Sequence, residues 1–465
     1  MKTDISKTKY FGGRLFTFLL LIVTLVSCNK YLDVQPKGVR LLETVNDYDL
    51  WLNNYALEAS APRELNLLSD LSDNILFSNP PVDVEGRIYT WDSQFNPVVT
   101  GNTPIWSNYY QSVYLFNAVI DGIDEAKNGT DLQKSSLKAE ALLGRAYEYL
   151  SLVNLYGKVY EPATAASDLA VPFVTQVDVT DQLPNRSTVK EIYDHIIEDI
   201  GQALPNLPVD NATNRFRGSK PAAYSVLART YLYMGNYAKA AENARLALGD
   251  GPNTIIDYAT LADYAQLPNL IRRPGELYAR LSMIYYVQES PSLDLLRSYD
   301  KKDLRLRGFY DFRGDVNFTE RGKTIYYPYG QLLGNAYPNW GTSAAEMRLI
   351  IAEAAARAND LGTAIEQLDL LRKKRFLPAD YVKFESANQE IVLQKVFAER
   401  VFEMPFNGLR WFDMRRLAAE GKMPEVVRYD ASGVKMASLP ANSSKYTLQI
   451  PVQVMYFNPD WIQNP

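Results

Sequence analysis

Cysteine and histidine are almost absent from this 465-residue chain, which contains only Cys28 and His195. A single cysteine cannot form a disulfide within the chain, and it cannot supply a thiolate metal cluster. His195 lies beside an apolar stripe in VKEIYDHIIEDI, where we expect a solvated position at a helix edge. Serine–histidine catalysis, cysteine–histidine catalysis and histidine zinc sites are therefore disfavoured. Carboxylate-pair glycoside hydrolysis stays open, but no compact motif indicates it, so we expect no enzyme, no metal and no cofactor.

The charge balance and the N-terminal segment limit the partners and location of the chain. A formal net charge of −5 argues against nucleic acid as a partner. Basic residues precede the apolar run 15–23, which is too short to span a membrane and is followed by Leu25-Val26-Ser27-Cys28. This pattern predicts a signal peptide, residues 1–27, and resembles a bacterial lipobox whose cysteine carries lipid. The alternative is a buried cysteine at the end of a transmembrane helix.

Small residues and aromatics recur at helical spacing in residues 220–252, KPAAYSVLARTYLYMGNYAKAAENARLALGDGP. The segment follows the tetratricopeptide (TPR) pattern, with Tyr224 and Tyr231 at aromatic positions and Gly235-Asn236 at the turn. Small residues let two helices approach closely, and aromatics fill the groove between them. The pattern predicts a helical hairpin, and it indicates no chemistry because such hairpins are scaffolds.

Similar patterns predict two further helical pairs. The helix 132–156 contains Leu143-Gly144-x-x-Tyr147, which corresponds to Leu227-Ala228-x-x-Tyr231 of the first hairpin. Its partner begins after the N-cap Thr188, so residues 157–185 form an insertion. Residues 345–375 give the third pair, with Gly362 at the turn. We therefore expect a mostly all-α fold in which TPR-like hairpins form one right-handed superhelical scaffold with long irregular, aromatic-rich insertions.

Two long stretches, residues 61–103 and 253–342, lack helical periodicity and are rich in turn residues, aromatics and polar groups. Long irregular segments of compact proteins are usually functional. Ligand rings stack on aromatic side chains, and ligand hydroxyls bind Asp, Asn or Arg. Trp91 is the strongest single candidate, and packing of the loops against the helices is the alternative for every aromatic. The candidate ligand-binding residues are Asp70, Asp73, Arg87, Tyr89, Trp91, Tyr285, Tyr286, Tyr337, Asn339 and Trp340.

Other conspicuous side chains are expected to be structural. Trp106 and Trp411 lie on amphipathic segments and should be buried in the core. Arg410, Asp413, Arg415 and Arg416 suggest an intramolecular salt-bridge network, and the charged segment 300–307 suggests a solvated surface. The acidic loops near Asp70 and Asp73 would also suit calcium, which prefers oxygen ligands.

Several blocks, in order along the chain, resemble the SusD/RagB family of nutrient-binding outer-membrane lipoproteins of the Bacteroidetes. Residues 61–103 and 253–342 match nothing in that family closely. The blocks are the lipobox with YLDVQP from Tyr31, KAEALLGRAYEYLSLVNLYGKV from Lys138, PNRSTVKEIYDHIIEDIGQALPNLP from Pro184, the AEA segment from Ala352 to Arg372, ERVFEMPFNGLRWFDMRRL from Glu399, and the closing LQIPVQVMYFNPDWIQNP.

The resemblance implies a lipoprotein held to the outer membrane through Cys28 and facing the cell exterior. It implies that the protein captures glycans and passes them to a SusC-like TonB-dependent transporter. We expect an N-terminal helical region at 28–252, a ligand-loop region at 253–342 and a C-terminal region at 343–465. Non-glycan nutrient cargo and a lipid-anchored TPR scaffold that binds only proteins are the alternatives.

Overall fold

The computed structural model describes residues 42–178, 183–249, 253–261, 267–282, 289–328 and 337–465, and Cys28, Tyr285 and Tyr286 lie outside them. The helices are α1 (Val45–Trp51), α2 (Tyr55–Glu58), α3 (Leu65–Leu68), α4 (Val84–Tyr89), α5 (Pro104–Gly122), α6 (Asp131–Tyr156), α7 (Val189–Ala203), α8 (Lys220–Tyr233), α9 (Tyr237–Gly249), α10 (Leu293–Ser298), α11 (Leu304–Phe309), α12 (Ala344–Arg357), α13 (Leu361–Arg372), α14 (Gln389–Glu403), α15 (Leu409–Ala419) and α16 (Val452–Phe457). The strands are β1 (Leu169–Pro172), β2 (Arg186–Thr188), β3 (Glu276–Tyr278), β4 (Tyr310–Asp311), β5 (Ile325–Tyr326), β6 (Thr342–Ser343), β7 (Val426–Tyr429) and β8 (Lys435–Leu439).

Helices dominate the fold, as the sequence predicts, and they pack largely in chain order. Helix α6 packs against α5 and α7, α8 pairs with α9, and α9 packs against α12, which also contacts α13 and α14. The hairpin of α8 and α9 is confirmed: Gly235 has φ +72 in the turn, and Ala240, Ala244 and Ala247 are fully buried. None of the helices in the described ranges combines the length and apolar character needed to cross a membrane.

The other two predicted pairs also form, with one local correction. Thr188 and Glu191 make a reciprocal capping box that starts α7, after the insertion that follows α6. In the third pair, Gly362 is already the second residue of α13. The left-handed residue between α12 and α13 is Asn359, with φ 60. The turn lies at Asn359 and not at Gly362 because asparagine, unlike most residues with a side chain, also adopts this left-handed conformation.

Strand β3 pairs with β6, and this pairing brings together the two ends of the long chain segment between them. Glu276 lies opposite Ser343, and Tyr278 lies opposite Thr342. Ser343 also caps α12, because its side chain accepts a hydrogen bond from the backbone amide of Glu346. The irregular segment is therefore anchored at the start of a central helix.

Buried ion pairs join the helices of the C-terminal half. Trp106 and Trp411 are in the core, as predicted. Asp413 accepts hydrogen bonds from Arg400 (2.7 Å) and Arg416 (2.8 Å), which confirms the predicted network. Arg415 departs from it and donates to the carbonyls of Asn154 and Gly157.

The predicted solvated surface at 300–307 is wrong for its central residues. Arg305 is fully buried and donates to Asp303 (2.6 Å) and Glu399 (2.8 Å). Lys301 and Lys302 are exposed, as expected. The partner Glu399 lies far along the chain on α14, so local charge spacing could not indicate that Arg305 is buried.

Candidate ligand-binding site

Trp91, the strongest sequence candidate, lies in the core and offers no ring face to a ligand. Its side chain is 2% exposed, and its Nε1 donates to the carbonyl of Leu68 at 2.9 Å. The guanidinium of Arg428 lies over the rings of both Tyr89 (4.3 Å) and Trp91 (4.6 Å). Arg428 also donates to the carbonyls of Leu67 and other residues of the same loop. These aromatics therefore fasten strand β7 to the 61–103 segment.

The charged candidates of the same segment are held in ion pairs. Asp70 accepts two hydrogen bonds from Arg410, at 2.6 and 2.7 Å. Asp73 accepts two from Arg321, at 2.5 and 2.7 Å. Asp70 and Asp73 are therefore not free to bind calcium. The described part of the chain contains no cluster of His, Cys, Asp or Glu that could hold a metal ion.

Arg87 is also paired, and it donates to Asp92 at 3.0 Å. Both side chains are about one-third exposed, so this ion pair contributes little to stability. Arg87 therefore keeps the surface position that a ligand contact needs, which distinguishes it from the other residues predicted in the 61–103 segment.

A cleft within the second predicted loop region, here called the principal cleft, has room of about 100 Å³, and a more open groove beside Thr44, Glu140 and Arg217 is larger. The lining of the principal cleft comes from parts of the segments 254–258, 267–276 and 338–345, from Phe309, Tyr326 and Arg375, and from residues 403–407, here called the back wall. The lining residues are Thr254, Ile255, Ile256, Tyr258, Leu267, Arg273, Pro274, Gly275, Glu276, Phe309, Tyr326, Pro338, Asn339, Gly341, Ser343, Ala345, Arg375, Glu403, Met404, Pro405 and Asn407.

Asn339 organises one wall of this cleft. Its Oδ1 accepts from the backbone amides of Arg280 (3.0 Å) and Gly341 (2.8 Å). Its Nδ2 donates to Glu276 (2.6 Å) and to the carbonyl of Thr342 (3.1 Å). All four hydrogen-bonding positions of the carboxamide are occupied, so Asn339 shapes the wall and has none to spare for a ligand.

Two ion pairs belong to the lining of the cleft. Arg273 approaches Glu276 at 3.7 Å, and burial raises the pKa of Glu276 although Arg273 partly offsets this effect. Arg375 donates to Glu403 at 2.9 Å, and its guanidinium lies 4.1 Å from the ring centre of Tyr258. Each cation has a carboxylate partner, so these pairs add no net charge to the lining.

Two glycines permit the close backbone contacts that shape the cleft. A Cβ on Gly341 would lie 1.8 Å from the carbonyl oxygen of Tyr278. Gly275 has φ +84, and its Cβ would lie 2.3 Å from the carbonyl oxygen of Thr254. Only glycine fits at these two positions without moving the backbone of the walls.

Tyr337, a candidate of the second stretch, is half-buried and is not part of the cleft lining, although its carbonyl accepts from the lining residue Arg273 at 2.8 Å. Trp340 is buried and packs inside the protein, and Tyr285 and Tyr286 lie outside the described residues.

Sequence reasoning missed Arg375 and the back wall of the cleft, which includes Glu403 and Asn407. A signal for it existed, because residues 403–407 belong to the conspicuous block ERVFEMPFNGLRWFDMRRL. No local pattern marks Arg375 or Tyr258, whose contact joins segments far apart in the chain.

Two models of known protein families match this chain. The family model described as "Starch-binding associating with outer membrane" matches residues 30–232, and the model described as "SusD family" matches residues 344–465. The chain belongs to the SusD family. Proteins of this SusD/RagB family associate with the outer membrane and bind carbohydrate without catalysis, which confirms that the chain is not an enzyme.

The relatives of this SusD family member are distant in sequence and similar in fold. SusD-like protein P2 of Formosa agariphila is 25% identical over 478 residues, covering 86% of this chain and 90% of the relative. SusD-like protein P38 of the same organism is 24% identical over 258 residues, covering 52% and 46%. A SusD superfamily structure from Bacteroides thetaiotaomicron covers 91% of this chain and all of its own, with a TM-score of 0.72 and 20% identity. A putative sugar binding protein from Bacteroides vulgatus covers 92% and 99%, with a TM-score of 0.69 and 21% identity. These structures confirm the mostly helical SusD-like fold.

Proposed function

We propose that this protein is a cell-surface lipoprotein that captures oligo- or polysaccharide in the principal cleft and delivers it to a SusC-like TonB-dependent transporter. The observation that carries the proposal is the position of the cleft. The two family models leave residues 233–343 unmatched, and most of the lining comes from that interval. The family therefore supplies the scaffold, while this chain's own segment supplies the surface that meets the ligand.

The lining has the chemistry that a sugar requires. Thr254 and Ser343 bring hydroxyl groups to the lining, and the partly exposed Ile255 and Ile256 add apolar surface. The ion pairs of the lining leave polar groups without net charge. Sugar hydroxyls bind to such groups by hydrogen bonds, and the apolar faces of the rings pack on the aliphatic lining.

The location and the transfer step rest on the family and on the N-terminal sequence. Cys28 follows the lipobox pattern and would hold the mature protein to the outer membrane. A B. vulgatus protein of the same fold is titled a putative sugar binding protein, which supports a carbohydrate as cargo. We further propose the division into residues 28–252, 253–342 and 343–465, with the middle region as the ligand loops.

A blocked cleft tests the binding site. Thr254 is exposed at the cleft, so Thr254→Trp fills the space without replacing a buried side chain. The matched control is Thr213→Trp at an exposed threonine that is not part of the lining. Binding is measured on a glycan array and then by titration with the polysaccharide that binds the wild type. We expect T254W to weaken binding at least about tenfold and T213W to leave it unchanged. Equal binding by both variants would place the site elsewhere.

Affinity purification tests the transfer step. The tagged protein is isolated from gently solubilised outer membranes, and the proteins that accompany it are identified by mass spectrometry. A large TonB-dependent barrel in roughly equal amount is the expected partner. A soluble periplasmic partner without a barrel would contradict the proposal.

A further inference from the structure

A second cleft, here called the C-terminal cleft, lies between the segment 93–106 and the end of the chain. It shares no lining residue with the principal cleft, and none of its lining side chains is charged at neutral pH. Its room of about 30 Å³ suits a pendant group rather than a whole ring, since one water needs roughly 10–15 Å³. The polar part of the lining includes Gln94, Asn96, Asn102, Gln449 and Gln453.

Gln453 brings an unpaired acceptor to this wall. Its Nε2 donates to the carbonyls of Asn96 (3.0 Å) and Val98 (2.7 Å). Carbonyl oxygens only accept, so these two bonds fix which end of the carboxamide is the nitrogen. The opposite atom, Oε1, is buried and has no hydrogen-bond partner among the described residues, while the whole residue is 8% exposed. A buried acceptor without a donor is unfavourable, and a ligand hydroxyl would supply that donor.

The helix that carries Gln453 also presents two aromatic rings to solvent. Tyr456 and Phe457 follow Gln453 by three and four positions, which places all three on one side of α16. Tyr456 is 65% exposed and Phe457 is 77% exposed, and their rings meet edge to face at 5.2 Å. Large exposed aromatics on the helix that also lines this polar, uncharged cleft provide stacking faces for a ligand ring.

We propose that the C-terminal cleft, with Gln453, Tyr456 and Phe457, is a second carbohydrate-binding site for neutral sugars. A hydroxyl or hydroxymethyl group enters the cleft and donates to Oε1 of Gln453, while a sugar ring packs on the exposed aromatic pair. The choice of sugar as the ligand rests on the proposed function. The site itself uses different residues and a different part of the fold.

Titration calorimetry of the mature protein tests this site with four neutral oligosaccharides: maltohexaose, cellohexaose, xylohexaose and mannohexaose. The variants are the double substitution Tyr456→Ala with Phe457→Ala, which changes only exposed side chains, and Gln453→Met, which removes the acceptor. Tyr114→Ala on α5 is the control, because Tyr114 is also an exposed tyrosine but lines neither cleft. We expect at least one oligosaccharide to bind, with about tenfold weaker affinity in both α16 variants and no change in Y114A.

Sugar binding measured in T254W and in Y456A/F457A distinguishes the proposal for the principal cleft from the proposal for the C-terminal cleft. Sugar binding that survives T254W but is lost in Y456A/F457A supports the second site even if the principal cleft fails its own test. Unchanged binding in Y456A/F457A, or no binding of any of the four sugars by the wild type, would overturn the second site. Loss of the copurified barrel without loss of sugar binding would also overturn it, because the aromatic pair would then contact protein.

Discussion

Glu148 is a carboxylate enclosed beneath the loops, and its ionisation should limit the stability of the protein at neutral pH. It lies on α6, is 0% exposed, and neither of its oxygens has a hydrogen-bond partner among the described residues. Its nearest cation is Nε of Arg280, at 3.9 Å. Burial raises the pKa of Glu148 from 4.5 to about 7, and the charge of Arg280 and the nearby hydroxyl of Ser60 only partly offset this effect.

The sign of the pH dependence follows from this shift. The folded protein holds the proton of Glu148 more tightly than the unfolded chain does, so the stabilisation is fully present below pH 4.5 and is lost as pH rises to about 7. The loss amounts to roughly 3 kcal/mol, since each tenfold change in proton affinity is worth about 1.4 kcal/mol. For 465 residues at roughly 2 cal/mol/K each, this corresponds to about 3 °C in the unfolding midpoint.

Glu148→Gln tests the reasoning by keeping the shape and removing the charge. Scanning calorimetry at pH 8 should show a midpoint about 3 °C above that of the wild type, and the difference should vanish near pH 4.5. The control is Glu399→Gln. Burial opposes ionisation of Glu399, but Arg305 and Lys395 outweigh it and lower the pKa of Glu399 to about 2, so E399Q should be destabilised at pH 8. A lowered midpoint for E148Q at pH 8 would refute the argument, because ionised Glu148 and Arg280 would then form a stabilising pair.

Three further substitutions test the buried contacts of Trp91 and Asp413 and the lipid attachment of Cys28. Trp91→Ala should cost about 3–5 kcal/mol in denaturant unfolding, because a buried ring and the hydrogen bond to Leu68 are lost, while sugar affinity of the folded fraction is unchanged. Asp413→Asn should cost about 3–5 kcal/mol in the same assay, because the charges of Arg400 and Arg416 lose their shared partner in the core. Cys28→Ala should move the protein from the membrane fraction to the soluble fraction on immunoblots, and retention in the membrane would contradict the lipobox.

The helical pairs could be predicted because their signals are local. Alanine and aromatic spacing fixes which faces of α8 and α9 meet, and the capping box of Thr188 and Glu191 marks the start of α7. The right-handed superhelical course stays a prediction. The misplaced turn before α13 shows the limit of local signals, because Asn359 and Gly362 both favour turns and only the first has the left-handed backbone.

Ligand-site residues were harder to predict because side-chain partners come from distant segments. Trp91 lies in a polar, turn-rich stretch, and the sequence around it does not show that Arg428 will cover its ring. The pairing of Asp73 was equally hard to predict, because its partner Arg321 lies in another loop. Polar surroundings in the sequence therefore indicated exposure, whereas the three-dimensional partners make these residues structural.

The principal cleft combines a back wall held between packed helices with loop segments whose exposed side chains can be substituted. The back wall, residues 403–407, connects α14 to α15, and these helices are joined by the buried contact of Arg400 with Asp413. The loop segments of the lining are anchored by close backbone contacts at Gly275 and Gly341. Substitutions of exposed residues in these segments leave the buried ion pairs intact. We therefore expect ligand preference to change through the exposed residues of the 253–342 region with little loss of stability, because the free energy of unfolding depends mainly on buried residues and packed helices.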